Sequence, residues 1–204
     1  MKVKHCIATL SGHTGTIWCL LQMENKNVLS GSSDKTIKMW STNNFNCLVT
    51  INESDVIRSL CELDNGDVVS STGKIWDFKV KNPKNISTLS GDTESIRCFA
   101  KLKNGDLISC SSDKKLKVWD MKKKKNSTLE GHTDSVRCLV VLKTGEVMSG
   151  SRDNSLKLWN IKSKKCIDTL TGHSDWVSCV IELKTGEVIS GSEDHSIKIW
   201  KKVL

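Results

Sequence analysis

The chain has 204 residues, of which 37% are hydrophobic and 26% charged, with a formal net charge of +8. No apolar run is long enough to cross a membrane as a helix. The nine cysteines contain no Cys-x-x-Cys pair, which argues against zinc; with no secretory leader read, they are expected as small buried thiols in a reducing compartment, cytoplasmic or nuclear.

In chain order, the predicted elements begin at residues 3–10, where KHCIATL (4–10) closely matches KKCIDTL (164–170). Gly12-His13 follows, then a strand carrying Cys19, then LSGSSDKTIKMW, which ends at Trp40. The second repeat is degenerate. VVSSTGKIW ends at Trp76, Glu53 stands where a His is found elsewhere, and the turn that carries Asp is deleted between Ser70 and Trp76. This repeat should keep its tryptophan anchor, lose its polar network and be the least stable. The third repeat, LISCSSDKKLKVW, ends at Trp119 and has Asp92 at the His place, an unfavourable carboxylate neighbour for Asp113.

The fourth and fifth repeats are the cleanest. Gly131-His132 and Gly172-His173 precede SVRCLVVL and WVSCVIEL, apolar β-branched runs that read as strands. Lys-Thr-Gly-Glu then leads to a second strand, EVMSGS or EVISGS. A turn carries Asp153 or Asp194, and SLKLW and SIKIW alternate as third strands ending at Trp159 and Trp200. A fourth strand is predicted over KCIDTL (165–170). In the third and second repeats the first hairpin reads Lys103-Asn104-Gly105-Asp106 and Asp64-Asn65-Gly66-Asp67, for which a type I′ turn with two positive φ angles is expected. A tryptophan-terminated block returning roughly every 40 residues, four strands to a block and no helical period, predicts a β-propeller.

Gly-His, Ser-x-x-x-Asp and Trp at these spacings resemble the WD-repeat family over essentially the whole chain. The Asp that usually follows the Trp is kept at Asp77 and Asp120 and replaced by Ser41, Asn160 and Lys201. The resemblance implies an all-β fold, one propeller spanning 1–204, with five blades of four antiparallel strands and repeats ending near Trp40, Trp76, Trp119, Trp159 and Trp200. Residues 3–10 are then expected as the fourth strand of the last blade, closing the ring; an open arc, a fragment of a larger propeller or an oligomer is the alternative. His13, Ser30, Asp34 and Trp40, with His132, Ser149, Asp153, Trp159 and His173, Ser190, Asp194, Trp200, are implied to form a structural tetrad in each blade. A catalytic triad is needed once, so three copies of Ser, His and Asp point to structure and no enzyme is expected.

The same resemblance places Trp18, Arg58, Arg97, Arg137 and Ser178 at the channel mouth, with Arg152, Trp176 and Glu193 beside them. A tryptophan-arginine rim suits a non-catalytic scaffold or substrate-recognition module, of the kind found in ubiquitin ligases, that binds other proteins or an acidic or phosphorylated peptide. The alternative is a basic propeller that binds nucleic acid or anionic lipid through MKKKKNS (121–127) and WNIKSKK (159–165). No nucleic-acid motif supports it, and lysines also guard exposed strand edges. Neither a cofactor nor a metal is expected.

Overall fold

Strands rich in Val, Ile and alternating polar residues pair with their sequence neighbours throughout, and the result is an all-β propeller architecture of antiparallel blades. A computed structural model describes residues 5–89 and 96–201. Among them are nineteen strands in five sheets and no helix, hence no helix long and apolar enough to span a membrane. The chain divides into two compact units, Met1–Ser87 and Thr88–Leu204.

The first unit holds two blades. One is β1 (Ile17–Gln22), β2 (Val28–Ser32), β3 (Thr36–Trp40) and β4 (Cys47–Asn52); the other is β5 (Leu60–Glu62), β6 (Val68–Ser70), β7 (Lys74–Asp77) and β8 (Lys84–Thr88). The second unit holds three. Blade three is β9 (Ile96–Lys101), β10 (Leu107–Ser111), β11 (Leu116–Asp120) and β12 (Lys125–Leu129). Blade four is β13 (Val136–Val141), β14 (Val147–Ser151), β15 (Ser155–Asn160) and β16 (Lys165–Thr171). Blade five has three strands, β17 (Val177–Glu182), β18 (Val188–Ser192) and β19 (Ile197–Trp200). Residues 5–10, expected as its fourth strand, form no strand, and residues 3 and 4 lie outside the described residues.

Period-2 alternation gives each blade two apolar faces, and stacking within each unit buries one against the next. In the first unit Leu29, Ile37, Met39 and Ile51 of blade one pack on Ile57, Leu60, Val68 and Phe78 of blade two. In the second unit Ile108, Leu116 and Leu129 meet Val136, Val147 and Trp159, and Met148 and Leu156 meet Val177, Val180 and Val188. Each fully buried aliphatic side chain contributes about 1.5–3 kcal/mol. Contact is close enough to dictate glycine. A Cβ on Gly150 would lie 2.6 Å from Val177 Cγ1, and one on Gly31 would collide with Ile57 Cγ2.

The first hairpins depart from the expected type I′ geometry. Gly66 N–H donates to Leu63 O at 2.9 Å and Leu63 N–H to Asp67 O at 2.8 Å, and only Gly66 has positive φ, at 79°. The turn is therefore a three-residue loop with the left-handed residue last. Asn65 bridges it from its side chain instead, accepting from Asp67 N–H at 3.1 Å.

The cysteine expectation also needs correction. Cys98 and Cys110 face each other across β9 and β10, Cα atoms 5.5 Å apart, and are joined as a disulfide. Cys6, Cys47 and Cys179 are exposed. Cys19 and Cys138 are half-buried thiols packed against the blade cores, and that burial pushes them up to about 11 and about 12.

Candidate functional site

In blades one, four and five the indole N–H of the anchoring Trp ends on a serine hydroxyl. Trp40 Nε1 donates to Ser30 Oγ at 2.8 Å, Trp159 to Ser149 at 2.7 Å and Trp200 to Ser190 at 2.8 Å. His13 Nε2 lies 2.6 Å from Ser30 Oγ and its Nδ1 2.7 Å from Asp34 Oδ2. His132 and His173 repeat this at 2.8 and 2.7 Å. A carboxylate only accepts, so in the neutral ring Nδ1 carries the proton and Nε2 accepts from the serine hydroxyl. These are the connections of a hydrolytic triad, but Ser30, Ser149 and Ser190 are buried and already bonded to indole, so no substrate carbonyl can reach them.

The aspartates are held as carboxylates. Burial pushes Asp34 and Asp153 upward, but hydrogen bonds from Thr36 and His13, and from His132 and Ser155, outweigh it and bring both well below the usual range. Ser196, followed by His173, does the same for Asp194. Asp34 Oδ2 also accepts Thr14 N–H at 3.0 Å and Oδ1 accepts Thr36 N–H at 2.9 Å, so one residue ties the approach to β1 to the β2–β3 turn.

Blade two does not lose its network, contrary to expectation. Glu53 is buried, and its Oε1 accepts from Trp76 Nε1 at 2.8 Å and from Ser70 Oγ at 2.9 Å. Lys74 Nζ supplies the balancing charge 2.8 Å from Oε2. A longer carboxylate reaches the indole directly and makes the His and Asp unnecessary. In blade three Trp119 Nε1 donates to Ser109 Oγ at 2.9 Å, while Asp92 lies outside the described residues.

The rim candidates share a backbone feature. Register shifts fall between Ile17 and Cys19, Val136 and Cys138, and Val177 and Cys179, leaving Trp18, Arg137 and Ser178 unpaired; Arg97 is skipped likewise between Ile96 and Cys98. A bulge re-aims the extra side chain out of the alternation. In the first unit, Trp18 is exposed and Arg58 half-buried just before β5.

In the second unit the candidates diverge. Arg97 Nε–H donates to Ser112 Oγ at 2.8 Å, and Ser178 Oγ donates to Glu193 Oε1 at 3.0 Å. Arg137, Arg152 and Trp176 come together: the Arg152 Cζ lies 4.0 Å and the Arg137 Cζ 5.6 Å from the centroid of the exposed Trp176 ring. Such stacking is worth roughly 0.5–2 kcal/mol and holds the guanidinium planes in place. Arg152 Nε is buried with no hydrogen-bond partner among the described residues. The family resemblance put Arg152 merely beside the rim, although it stacks closer to Trp176 than Arg137 does. Among the described residues no group of three or more His, Cys, Asp or Glu could hold a metal ion.

The model of the family "WD domain, G-beta repeat" matches residues 4–41, 83–120, 123–160 and 164–201. The chain is 24% identical over 137 residues to an uncharacterized WD repeat-containing protein of Schizosaccharomyces pombe, covering 60% of this chain and 37% of that protein. It is 29% identical over 118 residues to the DENN domain and WD repeat-containing protein SCD1 of Arabidopsis thaliana, covering 55% and 10% respectively. The chain therefore spans well under half the length of these two relatives. Among solved structures, the WD40 β-propeller domain of Doa1 is similar at 25% identity with a TM-score of 0.83, covering 98% of this chain and 68% of that one. Four matched repeats, the tryptophan-serine pairs and the four-stranded blades agree: the chain belongs to the WD40 repeat family.

Proposed function

We propose that this chain is a non-catalytic recognition module that binds an acidic or phosphorylated peptide at the rim built from Arg137, Arg152 and Trp176, with Ser178, Glu193, Arg97, Trp18 and Arg58 at repeat-equivalent or adjacent positions. Proteins of the family generally act as protein-interaction scaffolds, which supports the coarse role. The stacked guanidinium pair carries the finer one. Two cations held on one aromatic face, one with a buried donor unused, suit a ligand that brings carboxylate or phosphate oxygens. A role as a ubiquitin-ligase adaptor is one form of this reading. A cytoplasmic or nuclear setting is part of it, supported by 32% identity over 76 residues to eukaryotic translation initiation factor 3 subunit I of Danio rerio.

Titrating arrayed phosphorylated and Asp/Glu-rich peptides, read by tryptophan fluorescence, tests this. Arg152→Ala and Arg137→Ala should each weaken a peptide hit by about 2 kcal/mol, roughly 30-fold. The β11–β12 turn holds Lys122, Lys123 and Lys124 at the opposite end of the strands from Arg97, and neutralising these lysines should leave binding unchanged. Loss of binding in the lysine variant alone would move the site to that end and favour the nucleic-acid or anionic-lipid reading.

A further inference from the structure

Four first strands carry a cysteine at the same place. Cys19, Cys138 and Cys179 each face a glycine of the neighbouring second strand, Gly31, Gly150 and Gly191. Cys98 faces Cys110 instead, and the two are joined. The glycines show why a side chain is excluded elsewhere. A Cβ on Gly150 would lie 2.7 Å from Cys138 Sγ and 2.6 Å from Val177 Cγ1. On Gly31 or Gly191 it would lie 2.7 or 2.8 Å from the facing sulfur. Non-bonded heavy atoms settle at roughly 3.5–4.0 Å, so the slot has no room for a Cβ that is not bonded to that sulfur's chain.

Blade three fills that slot by bonding. Its two Cα atoms, 5.5 Å apart, lie in the range that permits a disulfide. Cys110 is fully buried, in one cluster with the buried Val136, which holds in blade four the position that Val177 holds in blade five. Cys98 is half-buried at the edge of the same cluster. The bridge also sits at a mechanical boundary. The β9–β10 register shifts immediately beyond it, where Arg97 is bulged out and donates from Nε–H to Ser112 Oγ. One covalent link therefore closes the end of the strand pair that aims Arg97.

We propose that Cys98 and Cys110 form a reversible thiol–disulfide exchange site, closed by oxidation and opened by a dithiol, which locks or releases the bulge that carries Arg97. The half-buried Cys98 sulfur is the one that a thiolate reaches. The first thiolate of the dithiol attacks Cys98 Sγ, the Cys98–Cys110 bond breaks, and Cys110 leaves as a thiolate that takes up a proton in its apolar surroundings. The second thiol of the reagent, as thiolate, then attacks the reagent's own sulfur in the mixed disulfide. Cys98 leaves and is protonated, and the reagent closes to a cyclic disulfide. Two electrons and two protons pass to the protein. Oxidation by a cyclic disulfide runs the same steps backwards.

Opening has a steric consequence, because the slot has no spare room. The freed thiols need non-bonded separation, and Val136 closes the side toward blade four. A packed core gives Cys110 nowhere to retreat. Cys98 must therefore swing toward its half-exposed side, or β9 must part from β10. Both movements begin one residue from Arg97. The device acts on the strand pair itself, so it stands whether or not a peptide binds at the rim.

The test equilibrates the whole chain in buffers that run from oxidised to reduced dithiothreitol. Each sample is quenched with an alkylating reagent in denaturant and read peptide by peptide by mass spectrometry, and amide exchange is followed in the two end states. Cys98 and Cys110 should become alkylated together, in one two-electron step. Amides 97–99 and 109–112 should exchange about tenfold faster or more in the reduced chain, while those of 188–192 in blade five keep one rate. Cys110→Gly recreates the slot of blade four and should exchange slowly at 97–99 in either buffer. Cys110→Ser keeps an unbonded side chain in the slot and should exchange fast in both. A pair that is alkylated even in fully oxidised buffer overturns the proposal, as does a reduced chain whose 97–99 amides exchange as slowly as the oxidised chain's. A pair that resists reduction until the chain unfolds overturns it too, since the bond is then a fixed brace. The wild-type comparison decides by itself if Cys110→Ser does not fold.

Discussion

Trp159 is fully buried and bonded through its indole N–H, so truncation removes packing and leaves the Ser149 hydroxyl short of a donor. Trp159→Ala should cost about 3–5 kcal/mol, and His132→Ala about 1–3 kcal/mol from the unsatisfied groups it strands; urea midpoints of the two variants check both. Acid should find the same networks. Asp34, Asp153 and Asp194 have folded pKa values below the unfolded value of about 3.9. Their contribution to stability is therefore full above about pH 4 and is lost as pH falls from there toward the folded values. Urea midpoints should fall steeply below that pH, and Asp153→Asn should flatten the fall while lowering stability at neutral pH.

At the scale of the element, the glycines of the second strands differ in what an added side chain would meet. Gly150→Ala should destabilise by about 1–3 kcal/mol, because Val177 cannot retreat from a packed core. Gly191→Ala should cost clearly less, because only the Cys179 thiol must move. Thermal melts of the two variants compare these outcomes. Strand order was legible in the sequence because Trp, Gly-His and period-2 alternation repeat, and repetition turns weak local signals into register. Glu53 was not. A missing His reads as a missing network, and only the reach of the glutamate side chain to both Ser70 and Trp76 shows the substitution to be a rewiring. The Cys98–Cys110 pair was equally hidden, since facing partners follow from the β9–β10 register and not from sequence spacing.

At the scale of the whole molecule, the excess of positive charge and the stacked arginines make binding of an acidic peptide sensitive to ionic strength. Exposed charges are screened over about 8 Å at physiological salt, so the apparent Kd of a peptide hit should rise as salt is added, and less so in Arg152→Ala. The candidate rim was legible from the sequence as a set of positions, but its grouping was not. Bulges aim Trp18, Arg97, Arg137 and Ser178 alike, and local partners then divide them, with Ser112 holding Arg97 and Glu193 holding Ser178 while Trp176 gathers Arg137 and Arg152.

The lysine hairpins of the second unit carry a chemical consequence of their own. Lys103 Nζ donates to Lys143 O, and the Lys143 ammonium in turn caps two carbonyls of blade five, so a single side chain links successive blades at their solvent edge. Acetylation of Lys143 would remove the charge and two of its three donors. It would loosen blade five from blade four without touching the buried core. An acetyl-lysine introduced at this position should unfold blade five at lower urea than blades three and four, turning one cooperative transition into two.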